Sequence, residues 1–63
     1  MERQTLCECI AKQSKVIYDG SFYIPTAYIM RVKAGRWIHS AELQDLKCKN
    51  TVITVPLERI SLV

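Results

Sequence analysis

The sequence predicts an all-β fold, namely a small five- to six-stranded antiparallel barrel or a strongly curved sheet. Hydrophobic residues recur mainly at every second position, which is the period of a β-strand. Two turn signals, Asp19-Gly20 and Ala34-Gly35, separate strand-like segments. Because the chain has only 63 residues, we expect a single domain. Closing its sheet would protect the edge strands from pairing with other chains.

The N-terminal segment fits both a strand and a helix. A strand would place Cys7, Cys9 and Ala11 on one small, apolar face, which suits the inside of a tight barrel. A helix would instead bring Leu6, Cys9 and Ile10 together. The strand is the preferred interpretation.

The next segments, residues 16–18 and 22–24, are β-forming and flank Asp19-Gly20. An Asp-Gly pair in this position predicts a hairpin, because a type I′ turn needs positive φ at both central residues. Pro25 has no backbone N–H to donate to a neighbouring strand. We therefore expect Pro25 at a sheet edge, a bulge or a strand break.

Residues 27–33 and 36–43 alternate clearly on either side of Ala34-Gly35 and predict the main hairpin. One face of this hairpin carries Tyr28, Met30, Val32, Trp37, His39, Ala41 and Leu43, and the other carries Ile29, Arg31, Lys33, Ile38, Ser40, Glu42 and Gln44. An isolated hairpin is only marginally stable in water, so the pair requires further strands.

The rest of the chain predicts a polar turn at residues 45–50, a β-branched strand at residues 51–55, a 3₁₀ turn at residues 56–59 and a short closing strand. This order, and the ending Val55-Pro56-Leu57-Glu58-Arg59-Ile60 in particular, resembles the SH3-like small barrels. The resemblance covers residues 27–63 at the level of strand pattern and implies a fold without specifying a family.

The composition and length limit the classes of function that the chain can have. Nine basic and six acidic side chains leave a net charge of +3, which permits a polyanionic partner without requiring one. So short a chain rarely builds the preorganised pocket of an enzyme, so we expect neither catalysis nor a cofactor. No apolar run approaches the length of a membrane span, and no secretory segment is evident, which favours a cytoplasmic location without membrane contact.

The odd number of cysteines favours reduced thiols. Cys7, Cys9, Cys48 and the single histidine, His39, could in principle form a Cys₃His zinc site. On a strand, however, Cys7 and Cys9 would stand about 6.5–7 Å apart on one face, which is awkward for a single ion. We therefore predict no metal site, and cysteine-based metal or redox sensing is the weakest functional hypothesis.

The main hairpin is the candidate binding surface. All five aromatic residues lie between positions 18 and 37, and cationic residues flank Trp37. The candidate partner-binding residues are Tyr28, Ile29, Arg31, Lys33, Arg36, Trp37 and Ile38.

Three interpretations of this hairpin stay open. The first is binding of another protein, including a homodimer formed through an outer apolar patch of Ile29 and Ile38. The second is nucleic-acid binding, with stacking on Trp37 and phosphate contacts from the cations. In the third, Tyr28 and Trp37 are core neighbours across the hairpin and the cations only keep it soluble.

Overall fold

The computed structural model describes all 63 residues and consists of one five-stranded antiparallel sheet with a single helix packed against it. Its elements are the helix α1 (Arg3–Lys12), the strands β1 (Val16–Tyr18), β2 (Ser21–Lys33), β3 (Arg36–Asp45) and β4 (Val52–Pro56), a 3₁₀ turn (Leu57–Arg59), and the strand β5 (Ser61–Leu62). The strand order across the sheet is β4-β3-β2-β1-β5. The chain is thus mostly β, as predicted.

The N-terminal segment is a helix, so the strand predicted there is wrong. In α1, Leu6 is fully buried and Cys9 is 6% exposed, whereas Cys7 lies on the exposed side. The helix ends where Gln13 adopts a left-handed conformation and Ser14 N–H donates to the Cys9 carbonyl over 2.9 Å. The apolar face of a sheet must be shielded from water by another element. In a helix, Leu6 and Cys9 fall on one side, and α1 packs that side against the sheet.

The turn at Asp19-Gly20 confirms the first predicted hairpin. Asp19 and Gly20 have φ of 51° and 77°, and Tyr18 pairs with Ser21 across the turn. Next along β2, the pairing register shifts between Pro25 and Ala27, so Pro25 does lie at a bulge. The bulge lets β2 run on as one strand of 13 residues where the sequence suggested two.

The main hairpin has the predicted register and faces. Ala34 and Gly35 form its turn, and Lys33 pairs with Arg36. Farther from the turn, Ala41 and Leu43 are fully buried, which identifies the face that packs against the core.

The core is small and contains no buried polar side chain. Its eight buried members are Leu6, Cys9, Val16, Ala41, Leu43, Val55, Leu57 and Ile60. They come from α1, from the strands β1, β3 and β4 and from the 3₁₀ region, whereas β2 and β5 contribute none of the eight.

The sheet is open, and the predicted barrel is not confirmed. β4 and β5 form the two edges of the sheet and do not pair with each other. In a flat sheet, four interstrand spacings would separate these edges by about 19 Å. The link between them is a three-residue 3₁₀ turn and Ile60, and such a turn advances only about 6 Å. The sheet must therefore curve strongly so that this link can join its edges.

Candidate functional site

The far end of the main hairpin projects beyond the rest of the sheet. β4 pairs with β3 only as far as Ser40, and β1 pairs with β2 only from Ser21 to Tyr23. Residues 30–39, here called the arm, therefore form a two-stranded ribbon with no strand on either side. All ten residues of the arm are exposed. No residue of the arm belongs to the hydrophobic core.

One face of the arm continues the core-facing side of the sheet. Val32 pairs with Trp37, and Met30 pairs with His39, on the same face as Ala41. Because this face extends past the helix and the core, Met30 is 46% exposed, Val32 is 59% exposed and Trp37 is 63% exposed. Three large apolar side chains thus stand in water on one short ribbon.

The opposite face of the arm is cationic. Arg31, Lys33 and Arg36 lie on it with Ile38, which is 38% exposed. The arm contains no acidic residue, and the remainder of the chain contains six basic and six acidic side chains. The whole net charge of +3 is therefore located on the arm.

The structure brings most of the predicted site residues together but divides them between the two faces. Ile29, Arg31, Lys33, Arg36 and Ile38 share the outer face, with Ile29 half-buried at the base of the arm. The predicted pairing of Ile29 and Ile38 on one outer face is thus observed.

Trp37 lies on the core-side face near the tip of the arm. Tyr28 lies on the same face but pairs with Ala41, whereas Trp37 pairs with Val32. The interpretation of Tyr28 and Trp37 as core neighbours is wrong, because the strands extend past the core before they reach Trp37.

The aromatic residues do not form one surface. Tyr18 and Tyr23 pack edge to face, with ring centroids 6.2 Å apart, at the end of β2 remote from the arm. Tyr23 and Val32 are nine residues apart on β2, which corresponds to about 30 Å. Clustering along the sequence therefore overstated clustering in space.

At the base of the arm, Tyr28 and His39 form a pair that the sequence reasoning missed. The Tyr28 hydroxyl is hydrogen-bonded to Nδ1 of His39, and the two rings stack with centroids 5.8 Å apart. The sulfur of Met30 lies 3.7 Å from the same hydroxyl. The signal available in the sequence was that all three residues fall on one face of the hairpin. The pair ties the two strands together where the arm leaves the sheet.

The cysteines are dispersed. α1 places Cys9 in the core and Cys7 on the exposed side, and Cys48 is exposed in the loop between β3 and β4. No group of three or more His, Cys, Asp or Glu side chains is arranged to hold a metal ion. The Cys₃His set that the sequence permitted is not assembled.

An open groove of about 980 Å³ runs beside the tip of the arm. Its lining includes Trp37, Ile38 and His39 of the arm together with Pro56 and Leu57. Its charged lining residues are three basic ones, Arg3, Lys33 and Arg36, and two acidic ones, Glu2 and Glu58. The groove is therefore lined by a mixture of apolar and charged residues, with basic residues outnumbering acidic ones by one.

The comparisons with known proteins found no counterpart. No family model, no curated protein and no solved structure matches this chain. The single helix, α1, is neither long enough nor apolar enough to cross a membrane.

Proposed function

We propose that the protein is a non-enzymatic interaction module that binds another protein through the arm. The observation that supports this proposal best is the exposure of Met30, Val32 and Trp37 on a ribbon that contributes nothing to the core. Exposed apolar surface of this kind is typical of contact sites. Tryptophan and arginine are also the residues most often found at the energetic centre of protein interfaces.

For the fold itself, we propose membership of the SH3-like class of small barrels. The support is the chain order: a long central hairpin is followed by β4, a 3₁₀ turn and a short β5 at the opposite edge. An experimental structure in which β4 and β5 lie far apart would contradict this assignment.

The proposal is tested by comparing proteins captured from cell extract by the wild-type chain and by Trp37→Ser. Loss of an interface tryptophan weakens binding by about 2 kcal/mol or more, which is roughly 30-fold. We expect at least one captured protein to be lost with Trp37→Ser and retained after nuclease treatment.

Phe22→Ser is the matched control for that experiment. Phe22 is a 50% exposed aromatic residue on the same strand as Val32, but it lies at the end of β2 remote from the arm. We expect this variant to capture the same proteins as the wild type. If both substitutions have the same effect, or if neither has any, the arm is not the binding surface.

Nucleic-acid binding is the second candidate, and it is favoured by a separate observation. Arg31, Lys33 and Arg36 lie on one exposed face without any acidic residue in the arm, and Trp37 offers a ring for stacking on the other face of the same ribbon. Three phosphate contacts predict that the logarithm of the binding constant falls with the logarithm of salt concentration with a slope of about −2 to −3.

The test for nucleic acid is titration of a single-stranded oligonucleotide at several salt concentrations. The double charge reversal Lys33→Glu with Arg36→Glu should abolish binding. Lys47→Glu with Lys49→Glu changes the net charge by the same amount in the exposed loop before β4 and should reduce binding only slightly. Equal losses from both pairs would show a non-specific effect of net charge and would reject an arm-based site.

A further inference from the structure

We propose that the free edge of β2, formed by the backbone of Tyr28, Met30 and Val32, binds an extended acidic segment of a partner protein as an added strand. This inference rests on the proposed function, since it specifies which edge of the arm the partner pairs with. It commits to one occupant: a short stretch of chain in which acidic and apolar residues alternate.

The direction of the backbone along β2 follows from the turn at the tip of the arm. A two-residue turn is flanked by a doubly hydrogen-bonded pair, which here is Lys33 with Arg36. Bonded pairs recur at every second residue toward the base of the arm, and the register is unbroken along this stretch. Val32, Met30 and Tyr28 fall between the bonded pairs. They therefore direct their N–H and C=O groups away from β3.

No other part of the chain pairs with this edge. β1 is the neighbour of β2 on that side, and it pairs only with the residues from Ser21 to Tyr23. Six backbone hydrogen bonds lie outside the helix and the strand ladders, and none of them involves β2. No side chain is hydrogen-bonded to the backbone of β2 either. Unpartnered N–H and C=O groups in a row are the template that added strands use.

The side chains beside the edge determine what kind of strand would fit. Residues of an added strand would point alternately to the two faces of the arm. On the core-side face they would meet Met30 and Val32, which are exposed, and on the outer face they would lie opposite Arg31 and Lys33. Apolar pairs and pairs of opposite charge both stabilise neighbouring strands. A segment with alternating apolar and acidic residues would provide both kinds of pair.

Charge selects among the possible occupants of the edge. Cations beside a free edge hinder pairing with other copies of the same chain. A second copy would place two arms of net charge +3 side by side, whereas an acidic segment would be attracted. A nucleic acid would use the cations but would leave the backbone groups of Met30 and Val32 unpaired. An acidic strand accounts for both the charge and the backbone groups.

Hydrogen exchange followed by NMR tests the edge residue by residue, using the intact protein and an end-blocked peptide of alternating glutamate and valine. In the free protein, the amides of Met30 and Val32 should exchange rapidly, and that of Arg31, which is bonded to β3, more slowly. Saturating peptide should slow exchange at Met30 and Val32 by about tenfold or more. Protection at Val52 and Thr54, on the outer edge of β4, or no protection at all, would overturn the proposal.

A peptide with lysine in place of every glutamate tests the acidic character of the occupant. Trp37 is the only tryptophan of the chain and lies opposite Val32 on the core-side face, so its fluorescence measures the affinity of both peptides. The lysine peptide should bind at least about tenfold more weakly than the glutamate peptide. Equal affinities would contradict the proposal.

Backbone methylation of the glutamate peptide tests strand addition itself. Alternate amides of an added strand point toward β2, and the others point away. Methylating one alternate set should weaken binding by about tenfold or more, whereas methylating the other set should have little effect. Equal effects of the two sets would show that the peptide does not bind as a strand. The protein is unaltered in this experiment, so the result does not depend on the folding of a variant.

A pair of substitutions at Val32 tests the same contact from the side of the protein. Val32→Pro removes an N–H that no strand uses within the chain, and proline is tolerated at such an edge. Val32→Ala keeps the N–H and removes only part of the side chain. We expect proline to weaken peptide binding by about tenfold and alanine to have a much smaller effect. Equal losses would reject the backbone contact.

These outcomes separate the two proposals. If cellular capture depends on Trp37 but the peptide neither protects Met30 and Val32 nor responds to methylation, strand addition is wrong and the proposed function stands. If capture does not depend on Trp37 while protection and the methylation pattern are both observed, strand addition is supported and the proposed route of cellular binding is wrong.

Discussion

At the residue scale, the two hairpin turns have the same geometry but different residues. Asp19 and Ala34 both adopt φ of 51°, and each is followed by a glycine with positive φ. Aspartate is tolerated in the left-handed region, whereas a residue with an ordinary Cβ is disfavoured there by about 1–2 kcal/mol. The turn at the tip of the arm is therefore locally strained at Ala34.

Replacing Ala34 with asparagine should relieve part of this strain. Asn-Gly is the preferred pair for a type I′ turn, so Ala34→Asn should raise the free energy of unfolding by about 0.5–1 kcal/mol. Urea denaturation measures the change as a higher midpoint with an unchanged slope. The opposite change at the equivalent position of the first turn, Asp19→Ala, should lower the urea midpoint. A lower midpoint for Ala34→Asn would contradict the turn geometry.

The three thiols should differ in accessibility. Cys7 and Cys48 are exposed, and Cys9 is 6% exposed within the core. A thiol-specific reagent should modify two cysteines rapidly in the folded protein and the third only on unfolding. The variant Cys9→Ser should then show the two rapid reactions alone. Three equal rates in the wild type would place Cys9 outside the core.

At the scale of elements, α1 is the cover of the sheet. Leu6 is fully buried and joins a core of only eight residues. Leu6→Ala should therefore lower the free energy of unfolding by about 2–5 kcal/mol. The total stability of a domain of this length is about 3–9 kcal/mol, so a substantial unfolded fraction is expected.

Circular dichroism during urea unfolding measures the effect of Leu6→Ala, with Glu8→Ala as the control on the same helix. Glu8 is exposed, so its loss should change stability by less than about 0.5 kcal/mol. If Leu6→Ala were as mild as Glu8→Ala, the helix would not be packed against the sheet.

At this scale one can also see which local signals in the sequence were sufficient to predict the observed elements. Asp19-Gly20 predicted its turn because positive φ is a property of the residues themselves, and alternation from residue 27 to residue 43 predicted the faces of the main hairpin. The N-terminal segment was different, since Leu6 and Cys9 fit either period. The choice between helix and strand there depends on the apolar face of the sheet that α1 covers.

At the scale of the whole molecule, the position of the charge determines how the chain would associate with itself. A homodimer through Ile29 and Ile38 stays a prediction, and both residues share the outer face with Arg31, Lys33 and Arg36. Pairing two such faces brings like charges together. Salt screens these charges, since the Debye length is about 10 Å at 0.1 M.

Self-association through this face should therefore increase with salt. Sedimentation velocity at low salt and at about 0.5 M salt measures it, and Ile38→Asp should abolish any dimer at both concentrations. A monomer under all conditions would reject the homodimer. Association that weakens with salt would require a different interface.

The sequence by itself determined the turns, the strand period, the two faces of the main hairpin and most residues of the candidate surface, because each of these depends on neighbours along the chain. Only the tertiary structure decided that α1 is a helix, that the curved sheet stays open, and that β4 stops opposite Ser40. These features depend on contacts between distant segments. The exposure of Trp37 belongs to the same group, since it exists only because the main hairpin is longer than the strands beside it.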